Sequence, residues 1–204
     1  MDFVELVKNA VEKFKSIDNY TNKVVRIIGN IDTDGITATS ILISAFSRDN
    51  IKFISSIEKQ VNKELLGTLS KDPCDLVFFL DFGSASISEI EKILWNKKIF
   101  ILDHHHPEKF ECESNIIHIN PHIVGIDGSR EISASGIAYL FAKQLNEKNK
   151  DLSYLALIGA IGDVILTTPI LKAIKERYPQ SEIHYLVGKW SADVLKYNPY
   201  IDRI

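Results

Sequence analysis

The stretch DLVFFLDFGSASISEIEKILWNKKIFILDHHH, residues 75–106, decides the fold. Its ends, DLVFFLD (Asp75–Asp81) and KIFILD (Lys98–Asp103), are short runs so apolar that both faces of each strand must be covered. Between them ISEIEKILWN turns Ile87, Ile90, Ile93 and Leu94 inward at helical spacing. Upstream the alternation continues. Phe3, Val7, Ala10, Val11 and Phe14 mark a first helix, and VVRIIG (Val24–Gly29) a buried strand. ITATSILISAF is a helix with Ile36, Ile43 and Phe46 on related faces, IKFIS (Ile51–Ser55) a strand and VNKELLGTL a short helix. Downstream, IIHIN is a short strand, and ISASGIAYLFAKQL opens on a serine N-cap and continues as a helix. Apolar strands alternating with helices predict an α/β domain: a mostly parallel sheet with helices on both faces.

Composition narrows the class. The 204 residues are 45% hydrophobic and 25% charged, which excludes disorder, collagen and coiled coil as the main state. A net charge of -3 announces no global basic field for nucleic acid, although a local groove is compatible with it. Cys74 and Cys112 make no metal or disulfide pattern, so a reducing, cytoplasmic setting is expected. The acidic, amphipathic start MDFVELVKNAVEKF is unlike a signal peptide. LALIGAIGDVILTTPIL, residues 155–171, is short for a membrane span and carries Asp163 at its middle and Pro169 near its end, so no span is expected.

In a parallel sheet the C-terminal ends of the strands share one edge, where ligands bind. Three predicted strands end in acid: VVRIIG runs into Asn30, Asp32 and Asp34, DLVFFL into Asp81, and KIFIL into Asp103, followed by His104, His105 and His106. One aspartate after a strand is ordinarily a turn or helix cap. A rim of carboxylates with no lysine or arginine in the same loops is different, because like charges crowded in a low-dielectric site repel. A pair of divalent cations would relieve that. Carboxylate and imidazole together suit manganese first, with magnesium, iron or zinc as alternatives. His118 and His122 are expected to be ordinary strand or loop residues, and Trp95 and Trp190 packing residues.

Taken together, NIDTDG (Asn30–Gly35), LDFGS (Leu80–Ser84) and DHHHPE (Asp103–Glu108) resemble the DHH phosphoesterases. NPHIVGIDGSREISASGIAYLF (Asn120–Phe141) and LALIGAIGD (Leu155–Asp163) extend the likeness, which covers about residues 1–163. The phrasing is most similar to the archaeal RecJ-like branch, single-strand nucleases that accompany the GINS replication complex. The resemblance implies phosphodiester hydrolysis by a water activated between two divalent ions, manganese or magnesium. The substrate would be single-stranded DNA or RNA, or a short oligonucleotide, and a GINS-type factor a partner. Carried onto this chain, Asp32 and Asp34 would each ligate one ion, Asp81 would bridge both, and His104 and Asp163 would complete the set. Asn30 stands where many members have histidine and would offer a neutral oxygen. His105, with Asp103, would act on the scissile phosphate. His106, Gly125, Gly128, Ser133, Ser135 and Gly136 would approach the nucleic-acid backbone.

From about Gly162 the text changes. GDVILTTPILKAIKERYPQSEIHYLVGKWSADVLKYNPYIDRI resembles the start of a lipopolysaccharide heptosyltransferase-type glycosyltransferase: a strand into a Gly-Asp loop, a TTP-led helix, a YP turn and a second strand, EIHYLVG. The expected organisation is therefore a DHH domain over 1–163 and a glycosyltransferase-like fragment over 164–204, joined at Gly162–Asp163 as in a chimera. The fragment is expected to pack on the first domain or to add Tyr185–Val187 to its sheet edge. Two rival readings follow, a glycosyltransferase fragment and a non-catalytic module that docks to a replication factor.

Overall fold

The computed structural model describes residues 2–188 and 191–204, with the side chain of Asp163 outside that description. The chain divides into two compact units, Met1–Ala160 and Ile161–Ile204. In chain order the elements are α1 (Phe3–Lys15), β1 (Val24–Asn30), α2 (Thr33–Arg48), β2 (Lys52–Glu58), α3 (Lys63–Lys71), β3 (Leu76–Leu80), α4 (Ile87–Ile93), β4 (Lys98–Leu102) and β5 (Ile116–Ile119). Then come α5 (Ala134–Leu145), α6 (Ser153–Leu166), α7 (Thr168–Arg177) and α8 (Ala192–Leu195). The five strands form one sheet in the order β2-β1-β3-β4-β5, with every neighbouring pair parallel. The fold is α/β, as the alternation of elements predicts.

Strand periodicity explains the two layers. Leu76, Phe78 and Leu80 of β3 face a core built with α1, α2 and α5, while Val77 and Phe79 face a second core with α3 and α4. The first core holds a nest of rings. Phe78 stacks on Phe100 at 4.6 Å, and Phe14 stacks on Phe46 at 5.5 Å and meets Phe78 edge-on at 5.6 Å. Each fully buried ring of this kind contributes about 1.5–3 kcal/mol.

Local signals set the helix ends. Asp2, Asp32, Asn62 and Ser133 cap α1, α2, α3 and α5 through their side chains. Helix α2 therefore starts at Thr33, earlier than its apolar run suggests. Its buried face is drawn by Ala38, Ile41, Leu42, Ala45 and Phe46, which leaves Ile36 outward and 45% exposed, against expectation. Trp95 is likewise 74% exposed rather than packed, because Leu94 takes the buried place at the end of α4. Trp190 lies outside the described residues.

The tail differs from its sequence reading. Leu155–Gly162 are helical, one of the two forms their periodicity allows and not the strand that the glycosyltransferase resemblance implies. Gly159 sits so close to Thr37 and Ser135 that an added Cβ would meet their hydroxyls at 2.2 and 2.3 Å, an approach a glycine on a helix face permits. In the second unit EIHYLVG forms one isolated bridge, His184 with Arg203. That unit gathers Leu171, Ile183 and Leu195, with Asp202 accepting from the Ile183 N–H at 2.7 Å and pairing with Lys175 at 2.6 Å. By length and composition alone, the helical run Glu147–Arg177 would pass as a membrane span. Its first half, however, packs on α2 and α5 through Gly159 and through Ala156, whose carbonyl accepts from Ser135 Oγ at 3.1 Å.

Candidate metal centre

The strand order reverses between β1 and β3, and the crevice at that switch point is where open parallel sheets bind ligands. Asn30 ends β1, Asp32 caps α2, Asp81 follows β3, and Asp103 with the histidines follows β4. The acidic rim is thus assembled by topology.

Asp81 is its centre. The residue is fully buried and held in the left-handed region at φ 67, a conformation aspartate tolerates better than most side chains. Its N–H donates to the Leu102 carbonyl at 2.9 Å, fixing it against β4. Oδ2 accepts from Asn30 Nδ2 at 3.3 Å, while Oδ1 is buried without a hydrogen-bond donor. His104 Nε2 lies 3.3 Å from Oδ1 and 3.7 Å from Asp34 Oδ2, and His105 Nδ1 lies 3.9 Å from Oδ1. Ligand atoms of Asp81, His104 and His105 fall within 4.8 Å of one another.

The other acids also hold structure together. Asp34 takes both first-turn amides of α5, Ala134 N–H on Oδ2 at 2.7 Å and Ser135 N–H on Oδ1 at 2.9 Å. Each oxygen keeps a second lone pair for a cation. Asp32 accepts from Gly35 N–H at 2.9 Å and from Asn30 Nδ2 at 3.1 Å. Asn30 therefore presents its amide N–H groups to two carboxylates, while its oxygen accepts from Ile31 N–H at 2.8 Å. Gly35 allows this closeness, since a Cβ there would stand 2.5 Å from the Asn30 carbonyl oxygen.

The histidines are oriented from behind. His104 donates Nδ1–H to the Gly128 carbonyl at 2.8 Å, which turns Nε2 toward Asp81 and Asp34. A Cβ on Gly128 would stand 2.0 Å from the His104 carbonyl oxygen, so only glycine fits there. His105 donates Nδ1–H to Asp103 Oδ1 at 2.8 Å and is half-exposed. Asp103 is fully buried and also accepts from Ser84 N–H at 2.9 Å.

Charge follows this geometry. Burial pushes the Asp81 carboxyl up to about 8; the nearby His104 imidazole pulls the other way, and Asp34 and Asp32 add to the rise. Burial opposes charge on His104, yet Asp81, the Gly128 carbonyl and Asp34 together push it up to about 9. His105 is raised by its bond to Asp103 against the effect of burial. Burial works to raise Asp103, but His105 and the Ser84 and His105 amides hold it below the usual carboxylate range. Near neutral pH the Asp81–His104 pair thus keeps a proton that an arriving cation would displace. A buried carboxylate oxygen with no donor, flanked by further carboxylates and an imidazole nitrogen, is a donor set that fits a hard divalent cation.

The remaining expected contacts are spread more widely. Asp163 lies in α6 with its side chain outside the described residues. His106 is exposed beside His105, and Gly125 is exposed at φ 80. Ser133 caps α5 by accepting from Gly136 N–H at 3.2 Å. Ser135 is fully buried, its hydroxyl engaged with Ser133 and the Ala156 carbonyl.

A second polar layer supports the loop after β4. Ser84, His118 and Asn120 are buried together: His118 Nε2 lies 2.8 Å from Ser84 Oγ, and Asn120 Nδ2 donates to Ser84 Oγ at 2.9 Å and to the His105 carbonyl at 2.8 Å. Burial pushes His118 down to about 4, so its ring is neutral. The sequence reading treats His118 as ordinary. The one hint was its place inside an otherwise apolar strand, IIHI.

Residues 24–162 match the DHH family, N-terminal domain. The chain belongs to the DHH family. An uncharacterised protein of Methanocaldococcus jannaschii is 39% identical over 170 residues, covering 76% of this chain and 38% of that protein. The single-stranded-DNA-specific exonuclease RecJ of Thermus thermophilus is 28% identical over 155 residues, covering 70% of this chain and 22% of RecJ. Among solved structures, an exonuclease RecJ bound to manganese superposes with a TM-score of 0.63 at 22% identity, over 86% of this chain and 49% of that one. Cdc45 from Entamoeba histolytica shares the fold with a TM-score of 0.57 at 18% identity, over 87% of this chain and 39% of that one. This DHH chain therefore spans well under half the length of these two curated relatives. The glycosyltransferase resemblance and chimeric join expected for the tail are not supported by these comparisons.

Proposed function

We propose that this chain is the metal-binding half of a RecJ-like phosphodiesterase that hydrolyses single-stranded nucleic acid. The observation that carries this reading is the buried, donorless Oδ1 of Asp81 at the switch point, with His104 Nε2 3.3 Å away. Asp32, Asp34, Asp81 and His104 would hold two divalent ions, manganese first and magnesium second, with Asn30 and Asp163 as the further ligands proposed from the family pattern. Bound there, such ions supply charge neutralisation at the phosphoryl group and an activated water.

The chain's own residues do the rest. His105 gives its Nδ1–H to Asp103, which leaves Nε2 for a phosphoryl oxygen and keeps the ring charged to higher pH. Asn120 fixes the His105 carbonyl and the Ser84 N–H fixes the Asp103 carboxylate, so the imidazole meets substrate in one orientation. Manganese titration by calorimetry, with Asp81→Ala as control, tests the reading. Two ions bound by the wild type and none by the variant are expected, followed by manganese-dependent cleavage of a single-stranded oligonucleotide. Unchanged stoichiometry in Asp81→Ala would refute the bridging role. Metal binding without cleavage would instead identify a non-catalytic module on the same fold.

A further inference from the structure

We infer that His106, Phe110 and His122 form a stacking platform for a nucleobase of the substrate strand. This rests on the phosphodiesterase reading and goes on to specify the substrate. The His106 ring lies 5.2 Å from that of His122 and 6.4 Å from that of Phe110, in tilted and edge-on arrangements. Phe110 is 54% exposed, His106 is exposed and His122 half-buried, and none of the three belongs to either apolar core.

The rings come from two separate segments, the loop after β4 and the short turn Pro121–Val124 after β5. Both are tied to His105. His106 follows it directly, and Asn120, which opens the turn carrying His122, donates to the His105 carbonyl at 2.8 Å and accepts from His122 N–H at 3.0 Å. Glu108 anchors the stretch before Phe110, its N–H on the Ser84 carbonyl at 2.8 Å and its carboxylate accepting from Ser88 N–H at 3.0 Å. The platform is therefore rigidly placed next to the residue proposed to meet the phosphate. Aromatic faces that cover no core, beside a group that handles phosphate, suit a ligand with both a phosphate and a flat ring. A nucleotide strand has both, whereas a polyphosphate chain lacks the ring.

The test compares manganese-dependent kcat/KM for a single-stranded oligodeoxynucleotide and for an abasic strand of the same length. The wild type is expected to prefer the base-bearing strand about tenfold or more, the scale of one stacked base. Phe110→Ala and His122→Ala are expected to bring that ratio toward one through KM, while Phe110→Trp keeps it. Melting in EDTA checks that the variants are folded. Equal handling of both strands by the wild type, or an undiminished preference in both alanine variants, overturns the platform. If the wild type cleaves neither strand, the phosphodiesterase reading fails and the platform fails with it.

Discussion

Replacing Asp81 by asparagine is expected to make the metal-free protein more stable while abolishing its response to metal. In EDTA the Asp81 carboxylate is fully buried, its Oδ1 has no donor, and Asp32 and Asp34 face it. A buried acceptor left without a partner costs about 1–3 kcal/mol. Asparagine has the same shape. Its oxygen would keep the bond from Asn30, and its N–H would stand where Oδ1 now lies, 3.3 Å from His104 Nε2, as a donor to the neutral ring. The proton linkage has the same sign. The Asp81 carboxyl is raised from 3.8 to about 8, so its contribution is full below pH 3.8 and is lost as pH rises toward 8. Asparagine has no such loss. His104, raised to about 9 by the same carboxylate, loses its charge in the variant and gives back part of the gain. The net expectation at pH 7 is about 1–2 kcal/mol, or roughly 3–7 °C in melting temperature for a chain of this size. With manganese at a hundredfold its dissociation constant, the wild type should gain about 2.7 kcal/mol for each ion bound and the variant nothing. Thermal melts of both proteins, in EDTA and in manganese, decide it. A variant less stable than wild type in EDTA, or one that keeps the manganese shift, would refute the reasoning.

Other expectations follow from the same packing. Burial holds His118 down at about 4 from 6.5, so the unfolded chain takes up a proton that the fold refuses. Stability should therefore fall between pH 6.5 and 4, by up to roughly 3 kcal/mol, and urea midpoints of His118→Asn should lose that much of the acid dependence. Gly128→Ala would push a Cβ against the His104 carbonyl oxygen, and is expected to weaken manganese binding at least tenfold in calorimetry, whereas Gly125→Ala, which meets no neighbour but is strained at φ 80, should cost about 1 kcal/mol of stability and leave manganese binding near wild type. Phe78→Ala removes a ring stacked on Phe100 and met edge-on by Phe14, and should cost about 3–5 kcal/mol in chemical denaturation.

The sheet was legible because β3 and β4 carry their burial in composition: LVFFL and KIFIL admit water on neither face, whatever surrounds them. The rim was legible for a related reason, since parallel topology sends every strand end to one edge, so residues distant in sequence could be assigned to one place. What escaped was settled by contacts rather than by pattern. Leu155–Gly162 fits strand and helix alike by periodicity, and only the close fit of Gly159 against Thr37 and Ser135 makes it helix. His118 looks idle in sequence because its partner, Ser84, is 34 residues away. Asn30 reads as a candidate ligand by its position, and no pattern foretells that its amide hydrogens turn to Asp32 and Asp81 while its oxygen accepts from Ile31 N–H. Asp34 reads as a ligand or as a cap within its own loop, whereas the amides it closes belong to the start of a helix a hundred residues later.

That last bond has an evolutionary consequence. Asp34 accepts the first two amides of α5 and so fastens that helix to α2, and on the proposed phosphodiesterase reading a lineage that gave up hydrolysis would still be held to this aspartate by the need to fold. Drift would be free to erase His105, whose ring is half-exposed, long before it could touch Asp34. An aspartate at this position in a descendant protein thus marks an intact framework, and the state of the His105 position is the better record of whether chemistry has been kept.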